Sequence, residues 1–283
     1  MLPLVRTAHD FRRACQEARV DGPLALVPTM GYLHEGHTSL IRAARQAAPT
    51  VAVTIFVNPT QFGPSEDLAR YPRDLDGDLA KCSAAGASFV FAPSSPEEMY
   101  PPGFQTYVEP GPLAQPLCGA RRPGHFRGVC TVVAKLFALS RADCAFFGEK
   151  DYQQLLVIRR MAQDLNLGTD VIGRPIVREK DGIALSSRNA YLSPEERANA
   201  VGLWRALCEV RARFARGEKN VNALEQIAVG MLERHGARVD YAELRDGVEL
   251  QRRDVADEST RLFLAAFFGK TRLIDNGALG DSG

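Results

Sequence analysis

The sequence predicts an α/β fold, a doubly wound parallel sheet followed by a smaller α+β domain, and three observations carry that prediction. Residues 24–27 and 51–57 are apolar runs of strand length, and from Thr38 the residues between them repeat at helical spacing. Strand, helix and strand within about 35 residues make a βαβ unit, whose crossover is nearly always right-handed. The alternation continues to residue 177, the pattern of a parallel sheet with helices on both faces. After residue 178 it stops, and two helices precede a group of strands. The expected domains are therefore residues 1–177 and residues 178–283.

In chain order, Thr7 is the expected N-cap of a helix over 7–20, with Phe11 and Ala14 facing inward. Pro28 should end the first long strand, because it has no N–H for a ladder. In the next helix Leu40, Ile41, Ala44 and Ala47 share one face, and Arg42 and Arg45 another. Residues 58–64 form a turn-rich loop at a strand end, and 67–73 a short helical piece. Asp74 caps a helix through Leu75, Leu79 and Cys82 that stops at Gly86, and 88–92 is a strand. Residues 93–128 are rich in proline and glycine with little periodicity, and connections that long tend to be functional. Helix 129–139, strand 144–147, helix 152–166 and strand 171–177 complete the sheet, with Gly168 as a stop. Ser193-Pro-Glu-Glu196 places Ser at the N-cap, Pro at N1 and Glu at N3 of a helix over 194–216, followed by another over 222–235. Strand 239–244 and a hairpin of 261–268 with 271–275 follow, and 277–283 should be a frayed tail.

Hydrophobic residues make up 45% and charged residues 24% of the 283 positions, an ordinary globular composition. A formal net charge of +1 gives no electrostatic reason to expect nucleic acid or an anionic membrane as partner. The longest strongly apolar run, 262–268, is too short to span a bilayer, and Asp10, Arg12 and Arg13 interrupt any signal-peptide core. Six cysteines without a C-x-x-C pair read as buried reduced thiols, and a cytoplasmic protein is expected.

Three stretches carry candidate chemistry. His34 and His37 sit where the first long strand hands over to its helix, and ligands of open α/β sheets collect at such strand ends. Either the two imidazoles cap the helix and pack in the turn, or they donate hydrogen bonds to phosphoryl oxygens as charge develops. Gly31 and Gly36 allow close backbone approach, and the helix N-terminus offers N–H groups to an anion. A zinc reading lacks a third ligand at a familiar spacing. Gly148-Glu-Lys-Asp151 repeats the design at another strand-to-helix junction, with Lys150 suited to phosphate or simply solvated. Asp181-Gly-Ile-Ala-Leu-Ser-Ser-Arg-Asn189 packs two hydroxyls and a guanidinium beside a flexible Gly182, an ordinary polar loop or an anion clamp. Gly269-Lys270-Thr271 imitates the end of a P-loop, but position 264 is Leu and a strand follows. No G-x-G-x-x-G is present.

Five blocks in order resemble the signatures of the pantoate–β-alanine ligase family: Pro28-Thr-Met-Gly-Tyr-Leu-His-Glu-Gly-His37, Phe56-Val-Asn-Pro-Thr-Gln-Phe-Gly63, Arg122-Pro-Gly-His-Phe-Arg-Gly128, Phe147-Gly-Glu-Lys-Asp-Tyr-Gln-Gln154 and Leu185-Ser-Ser-Arg-Asn189. The likeness runs from about residue 1 to residue 275. It implies a Rossmann-like nucleotidyltransferase domain of the HIGH class, with 34–37 as the HIGH element. Residues 186–188 would be the KMSKS-like loop, carried on a small C-terminal lid domain. It further implies an ATP site of Met30, Gly31, Tyr32, Leu33, His34, Glu35, Gly36 and His37, joined by Gly148, Glu149, Lys150, Asp151 and Val177, and by Leu185, Ser186, Ser187 and Arg188. Gln61 and Gln154 would hold pantoate, Gln61 also lying near β-alanine, in a pocket lined by Arg122, Val132 and Val133. His37 matches the family's proton donor, Asn58 would lie beside the phosphates, and Lys150, His34 and Arg188 would supply positive or donor groups. Mg²⁺ would accompany ATP near Asp78, and the protein would be a homodimer. Two positions depart from the pattern: Cys118 stands where a glutamate is expected, and Gly77 replaces the first of an acidic pair.

The resemblance implies a reaction in two steps. Pantoate attacks the α-phosphorus of ATP to give pantoyl adenylate and pyrophosphate, and the β-alanine amine then displaces AMP to give pantothenate. The rivals are an adenylyltransferase acting on a phosphorylated substrate, which releases no AMP, and a nucleotide-binding sensor without turnover.

Overall fold

A computed structural model describes residues 2–64 and 66–281. The chain divides into two compact units, one of residues 1–149 and 153–175, the other of residues 150–152 and 176–283.

In the first unit the elements are β1 (Leu4–Val5), α1 (Ala8–Ala18), β2 (Leu24–Thr29), α2 (Glu35–Ala47), β3 (Thr50–Ile55), α3 (Leu75–Ala85), β4 (Phe89–Phe91), α4 (Cys118–Arg121), α5 (His125–Ser140), β5 (Cys144–Gly148), α6 (Tyr152–Asp164) and β6 (Asp170–Arg174). The strands form one parallel sheet in the order β1-β4-β3-β2-β5-β6. The chain leaves β2 towards β3, and β5 lies on β2's other side, so the β2–β5 pair is a topological switch point. Leu24 to Val27 are all fully buried, as expected for a strand covered on both faces. Leu40, Ile41 and Ala44 of α2 pack with Ala25, Val27, Val51 and Val53 in one core. Each fully buried Leu or Ile there contributes roughly 1.5–3 kcal/mol.

Several boundaries differ from the sequence reading, each for a physical reason. The pair β1–β4 adds an edge strand that two residues were too few to announce. β2 does not stop at Pro28: it pairs with β3 through Thr29, whereas its pairing with β5 ends at Leu26. The donor that Pro28 lacks therefore has no ladder to serve. α2 begins at Glu35, three residues earlier than its apolar pattern, and Ala47 is exposed. α5 begins at His125, so the irregular stretch is shorter than predicted. Asp74 and Gly86 bound α3 as expected, Gly86 closing it in the left-handed region at φ 94°. Of the six cysteines, Cys208 is exposed and Cys144 half-buried, unlike the buried thiols expected.

The second unit adds α7 (Pro194–Asn199), α8 (Gly202–Ala215), α9 (Val221–Arg234), β7 (Arg238–Asp246), β8 (Thr260–Phe268) and β9 (Thr271–Ala278), the strands forming an antiparallel sheet in that order. Ser193 and Glu196 make the predicted capping box. The single helix expected over 194–216 is two, broken before Gly202, where a Cβ would meet His235 at 2.8 Å. Leu207, Val210, Leu224, Leu232, Leu244 and Leu264 form its core. Gly269-Lys270 is the β8–β9 turn, which disposes of the P-loop imitation. The frayed tail is corrected: Gly277 and Ala278 belong to β9, and Leu279 is buried. Residues 282–283 of that expectation lie outside the described residues.

Candidate active site

After β2 the chain turns sharply. Gly31 has φ +83°, and a Cβ there would meet Asp78 Oδ2 and Ile55 Cγ2 at 3.0 Å each. Tyr32 follows at φ 52°, a conformation that non-glycine residues keep only where their surroundings enforce it. Asp78, from α3, does so: Oδ2 accepts the Tyr32 N–H at 2.7 Å and Oδ1 the Leu33 N–H at 2.6 Å. The carboxylate is buried, which pushes its pKa above the ordinary aspartate value, and the two amides pull it part of the way back.

His34 is the N-cap of α2. Its Nδ1 accepts the Gly36 N–H at 3.1 Å, and His37 Nδ1 accepts the His34 N–H at 3.3 Å, with ring centroids 4.1 Å apart. The capping and ligand-binding readings thus coexist. With Nδ1 accepting, a neutral imidazole carries its proton on Nε2. The cap thus fixes both rings at the positive end of a helix. Met30 touches Gln61, whose Nε2 donates to its sulfur at 3.2 Å. Glu35 is tied to Thr38 and Arg42 instead of standing clear.

After β3 a web of side chains takes over. Asn58 is 1% exposed. It donates to Gln61 Oε1 and the Gly128 carbonyl, and its Oδ1 accepts from Thr60 and from the Tyr100 hydroxyl. Arg122 grips Glu66 with two bonds of 2.7 and 2.6 Å, donates to His125 Nε2 at 3.0 Å, and reaches the Gln61 carbonyl at 3.3 Å. The guanidinium expected to line a pantoate pocket is therefore already paired with Glu66. Burial alone would raise the Glu66 pKa, but the hydrogen bond and charge of Arg122 outweigh it and hold the carboxyl below its ordinary value. Gly128 lets α5 abut this turn, since a Cβ would lie 2.3 Å from the Thr60 carbonyl oxygen. Val132 and Val133 are buried one turn further along α5. Gln153 secures the irregular 112–118 segment through the Cys118 N–H and the Leu113 and Pro116 carbonyls. Gln154, beside it, is half-buried.

Gly148 ends β5, and Glu149 follows it. Lys150 and Asp151 group with the second unit, where Lys150 Nζ lies 3.8 Å from the Asp151 carboxylate. Also in that unit, Leu185 N–H donates to the Val177 carbonyl at 3.0 Å, making 177–185 a small hairpin. Ser186 caps the turn of helix over 187–191 by accepting the Arg188 N–H. Ser187 is buried. Gly182 is not a flexible link: at φ +94° it packs against Trp204, and a Cβ would stand 1.9 Å from the indole. Arg197 ties Glu179 and Asp181 to α7 as well.

Among the described residues, no group of three or more His, Cys, Asp or Glu side chains could hold a metal ion. Both Asp78 oxygens serve backbone amides, so the carboxylate fits a clamp on 32–33 and does not fit a direct Mg²⁺ ligand. Gly77 belongs to the same corner: its N–H is capped by Asp74, and a Cβ would collide with that carboxylate at 2.1 Å. Sequence reasoning missed Glu66, Gln153, Tyr100 and Trp204. Their partners lie 35 to 56 residues away or across a glycine, where no motif spacing links them.

A family model described as pantoate-beta-alanine ligase matches residues 3–278. The pantothenate synthetase of Myxococcus xanthus (strain DK1622) is 60% identical over 284 residues, covering 99% of this chain and 97% of that one. That of Geobacter sulfurreducens is 53% identical, with 98% and 99% covered. The solved pantothenate synthetase from Thermus thermophilus superposes with a TM-score of 0.94 at 45% identity, over 99% of this chain and 100% of that one. The Francisella tularensis pantoate-beta-alanine ligase, solved with beta-gamma ATP and beta-alanine, gives 0.83 at 32%, over 100% and 99%. With a family model matching residues 3–278 and relatives matched nearly end to end, this chain is an enzyme of the pantoate–β-alanine ligase family.

Proposed function

We propose that this enzyme condenses pantoate with β-alanine by way of pantoyl adenylate, releasing pyrophosphate and then AMP. The observation that carries the reading is the His34–His37 cap, which fixes two imidazoles at the start of α2, beside the sheet's switch point. A helix N-terminus with added donors suits the triphosphate of ATP. In the first step a pantoate carboxylate oxygen bonds to the α-phosphorus as the bond to pyrophosphate breaks, and His37 Nε2–H donates to the departing oxygens. Lys150, His34 and Arg188 neutralise charge as it develops. In the second step the β-alanine nitrogen attacks the acyl carbon, the C–O bond to AMP breaks, and the amine gives up a proton.

Gln61 is the pantoate contact best prepared for the task, its side chain already oriented by Asn58 and Met30. Asn58 acts through Gln61, because its own polar atoms are all engaged. Gln154, Arg122, Val132 and Val133 complete the pocket, and Val177 and 185–188 complete the nucleotide site. Lys150 and 185–188 both belong to the second unit. We assign no protein ligand to Mg²⁺, which enters only with the nucleotide's phosphates. A homodimer in the cytoplasm is carried over from the family, and sedimentation of the purified enzyme tests the dimer.

With ATP, pantoate, β-alanine and Mg²⁺, AMP should form in step with pantothenate. Omitting β-alanine should leave pantoate-dependent exchange of labelled pyrophosphate into ATP. Turnover without AMP would mark an adenylyltransferase, and no turnover a sensor. Label in ADP and phosphate would place the attack at the γ-phosphorus and overturn the reading.

A further inference from the structure

Two adjacent residues of β9, Asp275 and Asn276, belong to none of the five blocks, yet both are buried polar side chains committed to segments that do. Asn276 Nδ2 donates to the Lys150 carbonyl at 2.9 Å, and its Oδ1 accepts from Arg261 at 2.5 Å. The Arg261 guanidinium lies over the Tyr152 ring, 3.8 Å from its centroid, and the Tyr152 hydroxyl donates to the Gly247 carbonyl at 3.1 Å. Residues 150–152 are thus gripped at both ends by the antiparallel sheet.

Successive side chains leave a strand on opposite faces. Asp275 accepts two bonds from Arg178, at 2.7 and 2.9 Å. The Arg178 guanidinium also donates to the Gly182 carbonyl at 3.0 Å and stacks on Trp204, 4.2 Å from its ring. Arg178 and Ala184 form the bridge of the hairpin that ends at Ser186. A half-buried, bidentate and stacked arginine has little freedom, so the hairpin leading into 186–188 is fixed from beneath.

We infer that Asp275 and Asn276 are positioning residues that hold the Lys150 turn and the 178–185 hairpin on one strand, so that the lysine and the Ser186–Arg188 groups meet ATP in fixed register. The inference rests on the ligase reading, in which those groups serve adenylate formation. Each β9 residue acts through a main-chain or guanidinium contact, and displacement of a catalytic group by about 1 Å costs roughly 10²-fold in rate.

Asn276→Asp tests this, because it keeps the acceptor for Arg261 while removing the donor to Lys150. In pantoate-dependent pyrophosphate exchange its kcat should fall roughly 10²-fold, with the KM for pantoate unchanged. The Asp151 and Tyr152 amides should exchange with solvent faster while those of 183–188 do not. In a Lys150→Ala background the same substitution should cost nothing further. Asp275→Asn should instead loosen 183–188 and leave 151–152 protected. Unchanged kcat in Asn276→Asp, an undiminished cost in the Lys150→Ala background, or loosening of both segments in either variant would overturn the inference. Absence of exchange in the unsubstituted enzyme would overturn the ligase reading instead, and hydrogen exchange would still report whether Asn276 holds the turn.

Discussion

The corners after β2 and after β3 stand on neighbouring strands of one sheet and are built in opposite ways. After β2, a single buried carboxylate holds two consecutive main-chain amides and forces Tyr32 to φ 52°. After β3, the backbone is ordinary, and a web of Asn58, Gln61, Glu66, Arg122, His125 and Tyr100 sets the geometry. The first corner concentrates its hold on Asp78, with Thr29 Oγ1 accepting the Gly31 N–H besides. The second spreads its hydrogen bonds over many partners, so that losing one leaves a deformed site that still folds. Their carboxylates also differ: burial raises the Asp78 pKa, while Arg122 lowers that of Glu66 against burial.

The largest effect should therefore come from Asp78→Ala. It leaves two buried amides without an acceptor, at about 1–3 kcal/mol each, and removes the reason for the Tyr32 conformation. A loss of about 3 kcal/mol or more is expected in urea unfolding, and pantoate-dependent exchange should collapse as the His34–His37 cap shifts. A loss below about 1 kcal/mol, within the range of an ordinary single hydrogen bond, would show that the helix cap and not the carboxylate holds the corner, and the contrast would fail.

Gly128→Ala probes the other corner. Its new Cβ would meet the Thr60 carbonyl oxygen at 2.3 Å and the Gln61 nitrogen at 2.6 Å, backbone atoms that have nowhere to go. Overpacking of this kind costs about 1–3 kcal/mol, and here it falls on Gln61. The KM for pantoate should rise while that for ATP stays near its original value. Gln61→Ala should show the same selectivity with a smaller stability loss. Equal losses for both substrates would mean that the β3 corner is as brittle as the β2 corner.

The same contrast explains what was legible in the sequence. Apolar periodicity and caps announced the sheet, the Asp74–Gly86 helix and the Ser193 capping box, because those depend on residues a few positions apart. Gly31, His34 and His37 were visible for the same reason. Asp78 was visible as a position but not in its role, since its partners lie 45 and 46 residues earlier. Pro28 misled because a ladder's demand for a donor depends on whether the neighbouring strand extends that far. Gly182 misled because its freedom is set by Trp204, 22 residues on. The motif blocks named the candidate residues, whereas Glu66, Arg178 and Asp275, whose contacts tie down those stretches, had no local signal.

The smallest expected effect distinguishes the corners by pH. Glu66 has a folded pKa below its ordinary value of 4.5, so its pairing with Arg122 adds stability above that value. The contribution is lost as pH falls below 4.5 and through the folded value. Asp78 runs the other way: its raised pKa makes the relative gain complete below the ordinary 3.8, and the gain is lost as pH rises through the folded value. Glu66→Gln keeps the shape and removes the charge. The Arg122 and Glu66 side chains are 16% and 23% exposed, so solvent screens the pair in part. The variant should lose about 1 kcal/mol at pH 7, between the values for surface and buried charge-assisted pairs. Measured by urea unfolding across pH, that difference should shrink towards zero as the pH drops below 4.5. A difference that stayed constant with pH would mean that Glu66 acts through shape alone, and the two carboxylates would no longer be opposites.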